Sequence, residues 1–157
     1  MRAERGRPYA PGYGIPTNAK GLLPWSFVEE RMFAARDYWV ATVHPDGRPH
    51  LTPVWGLWVD GAFYFGSGPQ TRKARNLAEN PSVALHLVSE DALVLEGIAE
   101  VVTDPDPALA ERVSAASVAK YGMGSHDIEG SYVVRPRIVF AWTASGFPRT
   151  ATRWVFG

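Results

Sequence analysis

The sequence predicts an α+β chain built around an antiparallel β-barrel, and three observations predict it. Two Asp-Gly pairs, Asp46-Gly47 and Asp60-Gly61, separate runs of alternating apolar residues, which is the strongest short-range signal of a β-hairpin. Six or seven strand-like segments follow one another through turns. The helical segments are inserted between groups of strands instead of alternating with each strand, which disfavours a doubly wound parallel sheet. No G-x-G-x-x-G joins a strand to a helix, so a Rossmann-type dinucleotide site has no support.

The elements follow in order. Residues 1–24 contain Pro8, Pro11, Pro16 and Pro24 together with Gly6, Gly12, Gly14 and Gly21. That density forbids regular structure and predicts an extended N-terminal arm, with Tyr9, Tyr13, Leu22 and Leu23 as an apolar grip on a partner subunit. Residues 25–157 form the one folded domain. A first helix runs from Pro24 or Ser26 to Arg36. Ser26 and Glu29 stand at capping-box spacing, and Val28, Met32 and Ala35 share the buried stripe. Strands are expected over 38–43, 48–59 and 62–65. Within the second, Trp55 and Trp58 are an odd number of residues apart and face opposite sides, Trp58 toward the core or a dimer contact.

Residues 65–81 read FGSGPQTRKARNLAENP. Thr71 is placed to cap a helix whose first turn carries Arg72 and Lys73. The helix dipole disfavours cations there by about 0.3–1 kcal/mol each, while the free N–H groups of that turn attract an anion. One reading is a phosphate clamp, with Arg72 as a planar fork and Lys73 as a point charge. The other is a solvated basic helix start, with Glu79 at the far end, against the dipole. The flanks favour the clamp, because three strands in a meander feed straight into this helix and it stops at Asn80-Pro81.

Downstream, residues 82–88 alternate, with Val83, Leu85 and Leu87 on one face and His86 on the other, bonded to a backbone group. Residues 93–102 alternate again, with Gly97 marking a bulge or bend and Glu96 and Glu100 on the solvent face. A helix over 104–120 opens at Asp106-Pro107 and closes near Gly122. A loop over 122–130 precedes a long strand over 132–143, where Arg135 and Arg137 share a face. A short strand over 153–156 ends the barrel.

Bulk properties narrow the classes of function. A chain of 157 residues is one domain by length and buries about 68–70% of its unfolded surface. Sixteen basic and sixteen acidic side chains cancel, so nothing steers the chain toward nucleic acid or an anionic membrane. The absence of cysteine excludes disulfides and thiol chemistry and fits a cytoplasmic protein. No apolar run approaches the ~20 residues of a membrane span, and the N-terminus lacks the apolar core of a signal peptide. His44, His50, His86 and His126 show no zinc spacing, so no metal site is expected. No G-x-S-x-G elbow is present.

The stretch HPDGRPHLTPVWGLWVDGAFYFGSGPQTRKARNLAENPSVALHL, within residues 37–103, resembles the flavin-binding split β-barrel of pyridoxamine 5′-phosphate oxidases and their flavin- and deazaflavin-dependent relatives. The resemblance rests on Phe65, Gly66 and Ser67 before the Thr71-Arg72-Lys73 triplet, and on the spacing from Lys73 to Asn80-Pro81. It implies an antiparallel split barrel with two or three peripheral helices. It also implies that His50, Leu51, Thr52, Pro53, Val54 and Trp55 lie against the isoalloxazine ring and offer main-chain groups to its pyrimidine edge. Ser67 would sit near the ribityl chain, and Thr71, Arg72 and Lys73 would hold the phosphate. Asn76 and Arg75 would contact the cofactor tail or form helix surface.

In those oxidases a lysine ends the ring-contacting strand; here Trp55 stands there, and the later Arg-Gly and Trp-to-Gln-Ser signatures are missing. An apolar Trp55 wall does not suit pyridoxamine phosphate. The resemblance therefore implies hydride transfer to or from another small organic substrate, with the ring as reactive group and no catalytic side chain required. The triplet favours FMN. The alternative is the deazaflavin F-420, whose longer anionic tail Arg149 and Arg153 would help to hold. Haem, with His126 or His50 as axial ligand, has the least support, and a binding protein without turnover is the other class. A homodimer with cofactor sites between subunits is expected.

Overall fold

A computed structural model describes residues 2–122 and 127–157. Nine strands and three helices are formed among them: β1 (Ala3–Gly6), α1 (Trp25–Ala34), β2 (Tyr38–Val43), β3 (Pro49–Val54), β4 (Leu57–Val59), β5 (Ala62–Phe65), α2 (Arg72–Glu79), β6 (Ser82–Leu87), β7 (Ala92–Val101), α3 (Pro107–Tyr121), β8 (Tyr132–Trp142) and β9 (Thr152–Phe156). All pairings are antiparallel, in the order β1-β9-β8-β7-β6-β2-β3, with β4 on β5 and β5 on β8.

The split of the barrel is written in β8. Its first residues, Tyr132 to Val134, pair with β5, while Ile138 to Ala141 pair with β9. One strand thereby serves both the wall that carries β4 and β5 and the extension that carries β9 and β1. Gly97 sits at the register shift between β7 and β8. A Cβ there would lie 2.5 Å from the Arg135 carbonyl oxygen, so the bulge brings two backbones too close for any other residue. The main core joins both sides of the barrel to α1 through Val28, Met32, Tyr38, Phe63, Leu85, Leu95 and Trp154, and a second cluster under α3 gathers Leu57, Tyr64, Val113 and Ile128.

The Asp60-Gly61 hairpin forms as expected, with φ of 51° and 75° at its two central residues. Four expectations are revised. The N-terminal arm contains regular structure, because Ala3–Gly6 pairs with β9 before the first proline removes a donor. Ser26 does not cap α1, whose N-cap is Pro24 with no side-chain bond. Phe27 joins the buried stripe, covered by the Arg31 guanidinium 3.4 Å above its ring. The strand expected over 48–59 breaks into β3 and β4 at Trp55-Gly56. There the Phe63 ring fills the space of a Gly56 Cβ, 2.1 Å from the ideal position. His126 and the middle of the 122–130 loop lie outside the described residues.

Candidate functional site

The segment after β5 folds as a capped helix start. Thr71 is the N-cap of α2, its hydroxyl accepting from Ala74 N–H at 3.3 Å and donating to the Gly68 carbonyl at 2.8 Å. The Ser67 hydroxyl stands 2.7 Å from that of Thr71. Two hydroxyls therefore converge on the turn where the N–H groups of α2 are free. Among the described residues neither Arg72 nor Lys73 pairs with a carboxylate.

Successive helical residues point about 100° apart, and here that divides the two cations. Lys73 lines a cleft of about 330 Å³, together with Pro53, Val54, Trp55, Phe65, Gly66 and Tyr121. Arg72 turns the other way and donates to Asn76 Oδ1 at 3.3 Å; Asn76 in turn donates to the Thr42 hydroxyl at 3.1 Å. Asn76 is fully buried, so it is not helix surface. It is the brace that ties Arg72 to β2. Arg75 is exposed on the helix surface.

The strand expected to face the ring is divided as well. Pro53, Val54 and Trp55 reach the cleft, whereas His50 lies opposite Thr42 at the α2 end of β3. Thr52 shares the face of His50, while Leu51 and Pro53 carry their side chains outward and are exposed. Among the described residues β3 pairs only with β2, so one edge of its backbone is free, with Leu51 N–H as its donor because Pro49 and Pro53 have none. Arg149 lies in the turn between β8 and β9, and Arg153 lies on β9, four strands from β2 in pairing order.

The Trp55 wall is built by residues that the sequence did not single out. Trp55 is 57% exposed, yet its ring stacks on Tyr121 with centroids 4.6 Å apart and planes 3° from parallel. The Tyr121 hydroxyl accepts from Gly56 N–H at 3.0 Å and donates to the Arg36 carbonyl at 2.7 Å. Lys120 Nζ donates to the Ala35 carbonyl at 2.7 Å and to the Tyr38 hydroxyl at 3.0 Å. Burial, helped by the nearby Arg36 charge, lowers the Lys120 pKa to about 8. Burial also raises the Tyr38 and Tyr121 hydroxyls. The end of α3 thus clamps the break between β3 and β4. The available signal was Tyr121 directly before the helix-closing Gly122.

Of the remaining sequence expectations, Trp58 is buried in the core and His86 Nδ1 lies 2.7 Å from the Leu93 carbonyl oxygen. Glu96 and Glu100 are exposed. Among the described residues no group of three or more His, Cys, Asp or Glu could hold a metal ion, and no helix is long and apolar enough to cross a membrane.

The profile of the family described as pyridoxamine 5′-phosphate oxidase matches residues 29–147, from α1 to the turn after β8. The chain belongs to this family. Solved structures of the same fold include a conserved hypothetical protein from Mycobacterium tuberculosis, 25% identical, with a TM-score of 0.65 over 83% of this chain and 92% of that one. An F420 reductase is 24% identical with a TM-score of 0.54, covering 71% and 94%. A FAD-binding protein from Mesorhizobium loti is 17% identical with a TM-score of 0.58, covering 86% and 96%. No curated protein matches the chain in sequence. Within the pyridoxamine 5′-phosphate oxidase family, this member places Trp55, stacked on Tyr121, in its cleft wall.

Proposed function

We propose that the chain is a flavin-type oxidoreductase that binds FMN or, alternatively, F-420 and passes hydride to or from a small apolar substrate. One observation carries this reading: Lys73, which has no carboxylate partner among the described residues, lines an apolar cleft from the first turn of α2, directly after the Thr71 cap and its Ser67 hydroxyl neighbour. A phosphate suits that turn and a planar ring suits the cleft, whose volume is at the lower end of the usual ~300–1,000 Å³ for ligand sites.

When bound, the ring supplies the hydride-accepting and hydride-donating centre. The protein's residues bind, orient and exclude water. Lys73 neutralises the phosphate at the cleft mouth, and the Leu51 N–H, the one donor that Pro49 and Pro53 leave on the free edge of β3, stabilises negative charge near the pyrimidine edge. Trp55 and Tyr121 offer substrate a flat apolar face with no cation for a second phosphate, which argues against pyridoxamine phosphate.

Homodimerisation belongs to the same reading. The outer face of the sheet carries a continuous cross-strand row of Pro53, Trp39, His86, Val94 and Phe140. Leu51 is 61% exposed beside it. A second copy of the chain would cover this apolar face and complete the cleft.

The test is the visible spectrum of the purified protein followed by titration with FMN and F-420. The double variant Arg72→Ala, Lys73→Ala is expected to weaken binding at least about tenfold, since each charge-assisted bond contributes about 1.5–3 kcal/mol. Its circular dichroism should be unchanged. Equal affinity in variant and wild type would refute the clamp. Reduction of the bound ring by a pyridine nucleotide and reoxidation by substrate would separate an enzyme from a binding protein.

A further inference from the structure

The cation that faces away from the cleft has company. Arg72 is braced by Asn76, which bonds Thr42, and Thr42 lies directly opposite His50 in the β2–β3 hairpin. The His50 ring meets His44 edge to face, with centroids 5.5 Å apart. His50 Nδ1 is buried and has no hydrogen-bond partner, a costly state for a polar atom that a ligand would relieve. Partial desolvation and the positive charges of Arg48 and Arg72 lower the pKa of the His44 imidazole, against the pull of Asp46. Asp46 is itself held by Arg48 at 2.8 Å. Arg72, His44 and His50 therefore bring one guanidinium and two imidazoles together, and the Asp46 carboxylate that acts on His44 is itself bound by Arg48.

We propose that His44, His50 and Arg72 form a second anion subsite, which takes an anionic group beyond the first phosphate of the cofactor. This rests on the flavin-type reading of the cleft and deepens it. The geometry sets an order: ring against Trp55, first phosphate at Ser67, Thr71 and Lys73, second anion at the two imidazoles. A cofactor that ends at its first phosphate leaves the subsite idle; one that continues with a second phosphate or with carboxylates fills it. Such a group opposes the effect of Arg48 and Arg72 on the His44 imidazole, so its binding raises the His44 pKa and is favoured by falling pH.

The experiment compares FMN, FAD and F-420 by fluorescence titration on wild type, on Arg72→Ala with Lys73→Ala, and on His44→Gln with His50→Gln. The histidine variant is expected to weaken FAD or F-420 by about tenfold more than it weakens FMN. An equal loss for all three ligands, or no loss for any, would overturn the second subsite while leaving the clamp standing. If the Arg72 and Lys73 variant binds every ligand as wild type does, the cofactor reading fails first. Should the histidine variant not fold, the wild-type imidazole resonances serve. Saturation with FAD or F-420 should move the His44 titration to higher pH further than FMN does, and an equal shift with all three would refute the proposal.

Discussion

Asn76 does work at the residue scale that its sequence position conceals. It is the one fully buried polar residue of α2, and its amide spans Arg72 and Thr42. Asn76→Leu should cost about 1–3 kcal/mol by leaving the Thr42 hydroxyl without its donor, measurable by urea denaturation. It should also weaken cofactor binding, because Arg72 loses its brace. Unchanged affinity in a folded variant would show that Arg72 needs no support.

Lys120 provides a pH test at the same scale. Its folded pKa of about 8 lies below the ordinary lysine value, so between pH 8 and 10 the unfolded chain holds more protons than the folded one. Stability should therefore rise across that window relative to Lys120→Met, and the difference should be flat below pH 8. Above pH 10 the raised Tyr38 hydroxyl acts in the opposite direction, since the folded state then retains the proton. Parallel stability curves for wild type and variant from pH 7 to 10 would refute this account.

At the scale of elements, two glycines shape the barrel. Gly97→Ala sets a methyl against the Arg135 carbonyl, which is backbone and cannot turn aside. A loss of about 1–3 kcal/mol is expected, seen as a melting point lower by about 2–4 °C for each kcal/mol. That bulge was legible in the sequence, as a glycine interrupting an alternating strand. The Gly56 break was not, because Leu57 to Val59 continue an apolar run and the obstacle is the Phe63 ring arriving from β5. Helix α2 was legible almost to the residue, since its cap, its charges and its Asn-Pro stop are all local. α1 was less so: its capping-box spacing is present, but the chain enters through Pro24 and leaves Ser26 inside the first turn.

At the scale of the whole molecule, the row across the outer sheet face from Pro53 to Phe140 is the place to test association. Trp39, between Pro53 and His86 in that row, is 38% exposed. Trp39→Glu would put a charge into a face that the proposed homodimer buries. The expected result is a shift from dimer to monomer by light scattering at micromolar concentration, with loss of cofactor retention if the partner completes the cleft. A wild-type monomer would remove the dimer from the proposal.

What the sequence determined by itself was local: the hairpin turns, the capped basic helix start, the Gly97 bulge and the neutral, cysteine-free composition that sets the class. Each depends on residues a few positions apart, where backbone sterics and dipoles act. The tertiary structure alone decided that Lys73 meets the cleft while Arg72 meets Asn76 and β2, and that Tyr121 and Lys120 hold the Trp55 wall across more than 60 residues of chain. It also decided that β1 completes the sheet and that His50 meets His44 beside Arg72. The hairpin register, countable from the turn, set His50 against Thr42. The link from Thr42 to Arg72 exists only once α2 packs on β2, since burial alone selects Asn76 to make it.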